Sequence, residues 1–124
     1  MKKTLMWIGL VCVVIACLLS FVFASSSGRI HEVNIVIDSM AFAADTNILS
    51  VEEGDTIRLI IHNDDAGMTH AFEIEELNLR VDNIHYSEVV SADINVNDLP
   101  NQLNYTCRHH SLMAGTIFLT LGDK

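Results

Sequence analysis

From Leu5 to Ala24 the chain is apolar and uncharged; after Ser25 the pattern changes to short alternating runs broken by turn residues. The first stretch is 20 residues long, the length a helix needs to cross about 30 Å of hydrocarbon. It exceeds the roughly 7–15 apolar residues of a simple cleaved signal. Residues 1–24 are therefore read first as a retained membrane anchor and second as a signal peptide cut after Ala24. Lipid attachment at Cys17, in "VIAC", ranks third. Each reading keeps Lys2 and Lys3 on the cytoplasmic side and exports everything beyond Ser25.

"SSSG" at 25–28 is a polar linker, and residues 29–124 read as one all-β domain. "RIHEVNIVID" (29–38) is rich in β-branched residues and alternates weakly. In "TIRLIIHN" (56–63) Ile57, Leu59 and Ile61 alternate with Arg58, Ile60 and His62. "NILSV", "THAFEI", "SEVVSADINV", "NYTC" and "GTIFLTLG" supply further strands, with "EEGD", "DDAG" and "DLPNQ" as turns. Short strands at intervals of about 8–12 residues with turn signals between them predict a sandwich or barrel. No stretch after Ala24 has sustained helical periodicity, and no internal repeat is present.

Charge narrows the partners. Beyond Ser25 lie five basic residues (Arg29, Arg58, Arg80, Arg108, Lys124) and all sixteen acids, a net −11. Such a domain is repelled by nucleic acid and by anionic lipid. A basic partner protein, or plain solubility, accounts for it better. The acidic runs "EEGD", "NDD" and "EIEE" are read as solvated turns and faces.

Cysteine usage adds chemistry. Cys12 and Cys17 fall in the apolar segment, leaving Cys107 as the one thiol of the exported domain. A lone thiol makes no internal disulfide and is a liability in an oxidising compartment. By itself it would be read as a small buried hydrophobe. Its neighbours change that reading: "CRHHSLM" places Cys107, His109, His110 and Met113 within seven residues, and His70 lies 37 residues upstream of the thiol. A thiolate, imidazoles and a thioether form a soft donor set that favours copper over magnesium, calcium or manganese. A trigonal His₂Cys site with a weak axial Met suits electron transfer at copper, whereas zinc prefers four full-strength tetrahedral ligands. Each residue alone has a plainer reading: His70 as a structural histidine, Met113 as core at a strand entrance. His31, His62 and His85 have no partner at ligand spacing and are read as surface or strand positions.

These motifs resemble the cupredoxins, the small type 1 blue copper proteins. "CRHHSLM" is similar to their Cys-x-x-His-x-x-Met ligand loop of the amicyanin and plastocyanin type, and "MAGTIFL" to their closing strand. "AFAADTNILSVEEGDTIRLIIHNDD" resembles the segment leading to the first histidine, and "THAFEIEELNLRVDNI" a segment of cytochrome oxidase subunit II. The dinuclear centre of that oxidase subunit needs two cysteines, so the resemblance here implies a mononuclear site. It implies a Greek-key β-sandwich over residues 33–122, holding one copper ion through His70, Cys107, His110 and a weak axial Met113. It also implies one-electron transfer rather than enzymatic turnover, with electrons leaving by the edge of His110 through an apolar patch of Met68, Leu112 and Ala114. The expected protein is a monomer in the periplasm or another extracytoplasmic space, tied to the membrane by its N-terminal segment. Its expected partners are redox proteins such as a cytochrome or a membrane oxidase.

Two positions depart from the family pattern. Ala71 stands where Asn commonly follows the first histidine, so that side chain's hydrogen bond must be absent or replaced. His109 stands where Pro often precedes the second histidine, which loosens the loop and offers a competing ligand. Other functions stay open at this point. They are a copper carrier or assembly factor for a membrane oxidase, a copper site binding a small molecule, and, more weakly, Cys107–His110 nucleophilic catalysis.

Overall fold

The computed structural model describes residues 28–122. The predicted anchor or signal segment, 1–24, and linker residues 25–27 lie outside the described residues.

Strand β1 (Ile30–Asp38) and strand β4 (Thr56–Asn63) pair in parallel from Ile30↔Thr56 to Ile37↔Asn63. In β1 the side chains of Val33, Ile35 and Ile37 are fully buried; in β4 those of Ile57, Leu59 and Ile61 are. Their period of two turns one face of the sheet inward. Strand β2 (Ala41–Ala44) folds back on β1, and strand β7 (Val89–Asn95) runs antiparallel to β4, giving the order β2-β1-β4-β7. The second sheet contains β3 (Ile48–Val51), β5 (His70–Ile74), β6 (Leu79–Ile84), β8 (Gln102–Cys107) and β9 (His110–Leu121), in the order β3-β9-β8-β5-β6. Phe72, Ile74, Ile84, Leu103 and Ile117 from this sheet join the β1 and β4 side chains in one core. Burying each such side chain contributes about 1.5–3 kcal/mol, so the sandwich rests on this apolar layer.

The expected all-β architecture is present, with two strands more than the pattern predicted. Strand β2 is a four-residue edge strand reached through a turn at Ser39 and Met40, both with positive φ (51° and 62°). That backbone normally calls for Asn-Gly, so Ser-Met gave no warning of it. Strand β6 is also an edge strand; it follows the 3₁₀ turn Glu75–Leu77 and a left-handed Asn78, φ 50°. Strand β9 starts at His110, five residues before the predicted "GTIFLTLG". Among the described residues no helix is long and apolar enough to cross a membrane.

One acidic turn is not solvated as expected. In "EEGD" Gly54 takes a left-handed φ of 90°, and Asp55 tucks inward with 3 % of its surface exposed. Its Oδ1 accepts from the Arg29 backbone N–H at 2.8 Å, and its Oδ2 accepts from the Glu52 N–H at 3.0 Å. The His31 Nε2, on the β1 strand as expected, also lies 2.8 Å from Oδ2. The Glu52 N–H, then His31, then the Arg29 N–H hold the Asp55 carboxyl down at about 2.

An acid with a depressed native pKa stabilises the fold above its unfolded value, and that stabilisation is lost as pH falls through the native one. For Asp55 the loss runs from about pH 4 to about pH 2. Asp55→Asn is therefore expected to lower the urea midpoint at pH 7 and to flatten its acid decline between pH 4 and 2. The decline does not vanish, because Arg58 also holds Asp93 low. Unfolding curves at pH 7, 4 and 2.5 check this.

Candidate metal centre

His70 opens β5, between β8 and β6. The β5–β6 register runs His70↔Ile84 and then Phe72↔Val81, an irregularity that breaks the alternation. The extra residue falls on β6, where Asn83 has a positive φ of 55°; opposite it His70, Ala71 and Phe72 are all buried in succession. Bulges of this kind re-aim side chains and gather near functional sites. The loop before His70 is pinned by Asn63, itself fully buried. Its Nδ2 donates to the carbonyls of Met68 (3.0 Å) and Ile84 (2.8 Å), and its Oδ1 accepts from the Asp65 N–H (3.0 Å).

Asp65 turns back toward the histidine. Its Oδ2 lies 2.9 Å from His70 Nε2 and accepts the Met40 backbone N–H at 3.0 Å. The Met40 N–H, and then His70, hold this carboxyl below the ordinary range against the effect of partial burial. An ionised carboxylate only accepts, so the ring proton of His70 sits on Nε2 and its Nδ1 keeps a free lone pair.

That lone pair points at the start of the β8–β9 hairpin. Cys107 ends β8, Arg108 and His109 form the turn, and His110 opens β9 opposite Cys107. The next pair is Thr106↔Ala114, so Ser111, Leu112 and Met113 bulge out of register. The bulge leaves Leu112 97 % exposed and turns Met113 into the core, 1 % exposed. Cys107 Sγ lies 3.6 Å from His110 Nδ1 and 3.9 Å from His70 Nδ1, and the two Nδ1 atoms are 3.2 Å apart. The Ala71 backbone N–H donates to the sulfur at 3.4 Å. Beneath it Phe72 and Tyr105 stack at 5.1 Å, with Phe42 edge-on to both. Gly115 faces Tyr105 across the ladder, where any Cβ would run into the ring.

The donors suit a metal ion. Metal–nitrogen and metal–sulfur bonds of about 2.0 and 2.3 Å place trigonal donors roughly 3.5–3.7 Å apart. The observed separations of 3.2, 3.6 and 3.9 Å straddle that range. No carboxylate is among the three atoms, and a thiolate with two imidazoles favours a soft metal over a hard one.

The sandwich has solved counterparts. A heme-copper terminal oxidase aligns over 96 % of this chain and 99 % of its own, at TM-score 0.58 and 16 % identity. The metal-binding domain of the Streptococcus pneumoniae Cu(I)-exporting P-type ATPase CopA, solved with Cu(I), aligns over 81 % of this chain and 93 % of its own, at 0.57 and 14 %. Rusticyanin from Thiobacillus ferrooxidans, a cupredoxin, aligns over 76 % and 79 %, at 0.55 and 14 %. The chain has the cupredoxin fold. No protein-family model and no curated protein matches it by sequence.

Within this cupredoxin fold, His70, Cys107 and His110 converge, and their ligand atoms all lie within 4.8 Å of one another. Met113 is buried and lines a depression of about 390 Å³ together with His110, Met40, His109, Ser111 and Leu112. Met68 and Ala114, expected around His110, are not among its lining residues. His109 is exposed, its ring centroid 6.5 Å from that of His110, and His85 faces Thr69 at 3.2 Å. At the position where Asn commonly stands, Ala71 supplies a backbone N–H to the sulfur, while the buried Asn63 ties the histidine's loop to β4 and β6.

Sequence reasoning missed Asn63, Asp65 and Met40. It read "NDD" as a solvated turn, but the Asp65 side chain is only 13 % exposed, because the histidine and the Met40 N–H draw it inward. Asn63→Ala leaves two carbonyls and one N–H without their partner. Each buried group so orphaned costs about 1–3 kcal/mol. With the Ile84 bond buried and the other two only part-buried, the variant is expected to lose about 1–3 kcal/mol by urea denaturation, with faster amide exchange at Asp65.

Proposed function

We propose that the protein binds one copper ion, which His70 Nδ1, Cys107 Sγ and His110 Nδ1 would hold, with Met113 as a weaker fourth ligand. We propose further that it carries single electrons on the exported side of a membrane. The observation behind this reading is the buried convergence of one thiol and two imidazole nitrogens at 3.2–3.9 Å. Bound there, copper supplies a one-electron Cu(I)/Cu(II) couple.

The chain's own residues explain why such a site would exchange electrons readily. Two bulges in the same sheet, the Asn63 bonds and the stacked aromatic layer hold the donors in one arrangement, so little has to move between oxidation states. The Ala71 N–H stabilises negative charge on the sulfur. His110 is partly exposed and lies beside Met40 and the protruding Leu112. This apolar rim is where a redox partner, such as a cytochrome or membrane oxidase, would rest against the ring edge. The chain joins β1 at Gly28, and the site lies beyond the far end of that nine-residue strand, about 30 Å away at 3.3 Å per residue. If residues 1–24 anchor the chain, the metal pole faces away from the bilayer and toward soluble or protruding partners.

A second reading, a copper carrier for a membrane oxidase, is favoured by one feature. His109 and Met40 line the same depression as His110, placing soft donors on the way out of the site. A carrier gives up Cu(I) readily to a chelator, whereas an electron-transfer protein retains it through repeated redox cycles.

Addition of Cu(II) to the protein is expected to produce intense visible thiolate-to-copper absorption. Cys107→Ser should abolish the colour and weaken binding beyond the roughly 10–100-fold that losing an outer partner costs, with circular dichroism unchanged. A colourless, zinc-preferring product would contradict the assignment.

A further inference from the structure

We propose that Asp65 is a positioning residue for the metal centre: its Oδ2 sets which nitrogen of His70 faces the metal, and its charge lowers the reduction potential. The potential half rests on the copper reading above; the orientation half does not.

Both hydrogen bonds of this carboxylate converge on one oxygen. Oδ2 accepts the Met40 backbone N–H at 3.0 Å and lies 2.9 Å from His70 Nε2. Met40 sits in the tight turn between β1 and β2 with φ 62°, a left-handed conformation that a bulky residue adopts at a cost. The turn nevertheless aims its N–H at Asp65, and the Asp65 backbone is in turn held by Asn63 Oδ1 at 3.0 Å. The carboxylate is therefore held by two elements of one sheet, the β1–β2 turn and the end of β4, before it meets a ring of the other sheet. A ring constrained in this way presents Nδ1 toward Cys107 Sγ, 3.9 Å away, and cannot offer Nε2.

Charge acts separately from position. Among the described residues the ion pairs of Asp65 are with His70 alone, so no Lys or Arg offsets its charge. The His70 side chain is 0 % exposed and that of Asp65 13 %, leaving little water to screen the pair. A carboxylate behind the imidazole raises the ring's basicity and its donation to the metal. It favours the more positive of two oxidation states, so removing the charge should favour the reduced one.

Because both bonds meet one atom, the two effects can be separated. Asp65→Asn can place its amide oxygen where Oδ2 lies, keeping both acceptances and removing the charge; Asp65→Ala removes both. In the metal-free protein, long-range ¹H–¹⁵N NMR should show His70 as the Nε2–H tautomer in wild type and in Asp65→Asn, and as a mixture in Asp65→Ala. In the copper-loaded protein, Asp65→Asn should shift the Cu(I)-to-Cu(II) affinity ratio about tenfold toward Cu(I), a rise of about 59 mV for a one-electron couple. An unaltered tautomer in Asp65→Ala, or an unaltered potential in Asp65→Asn, would overturn the proposal. Failure of the wild type to take up copper would sink the electron-transfer reading and the potential claim with it. The metal-free measurement would still decide the orientation.

Discussion

A thiol and two imidazole nitrogens are held facing one another at 3.2–3.9 Å in a buried pole, and the local architecture around them serves to keep them there. Without an ion, such an arrangement satisfies itself only in part: with His70 Nδ1 accepting, the donor has to be the His110 ring or the thiol. Polar groups withdrawn from water are costly unless partnered, so the scaffold maintains a geometry that a metal completes. It does so with two irregularities in otherwise regular strands, one at His70–Phe72 and one after Thr106. Regular alternation would bury every second side chain. Opposite the first, His70 and Ala71 are buried side by side; the second turns Met113 inward while Leu112 projects into solvent.

Strand β1 is secured at both ends by the same device. At its start Asp55 accepts backbone N–H groups from Arg29 and Glu52 and meets the ring of His31. Beyond its far end Asp65 accepts the backbone N–H of Met40 and meets the ring of His70. The first arrangement closes the pole where the chain joins the domain. The second ties the β1–β2 turn of one sheet to a histidine of the other. An aspartate that accepts from backbone and imidazole together locks a turn without the entropy cost of a long side chain, which suits a small sandwich whose core is aliphatic apart from one aromatic layer.

Much of this was legible in the chain. Alternation in "TIRLIIHN" marked a half-buried strand, and the spacing of Cys107, His110 and Met113 with His70 upstream identified three side chains that the fold brings together. What was not legible depends on backbone conformation. Ser39-Met40 carries no residue signal for its turn, so β2 was unseen, and with it the N–H that reaches Asp65. "NDD" and "EEGD" read as solvated because an acid's composition says nothing about which N–H groups will face it. At Ala71 the side-chain bond is absent, and the backbone N–H donates to the Cys107 sulfur as any residue type except proline can.

The central claim is that one metal ion is held by the sulfur of position 107 and the two converging rings. X-ray absorption at the copper edge of the loaded protein tests it most directly. The account predicts one short copper–sulfur and two copper–nitrogen contacts, with the sulfur contribution absent in Cys107→Ser. A shell of nitrogen and oxygen alone in the unaltered protein would contradict it.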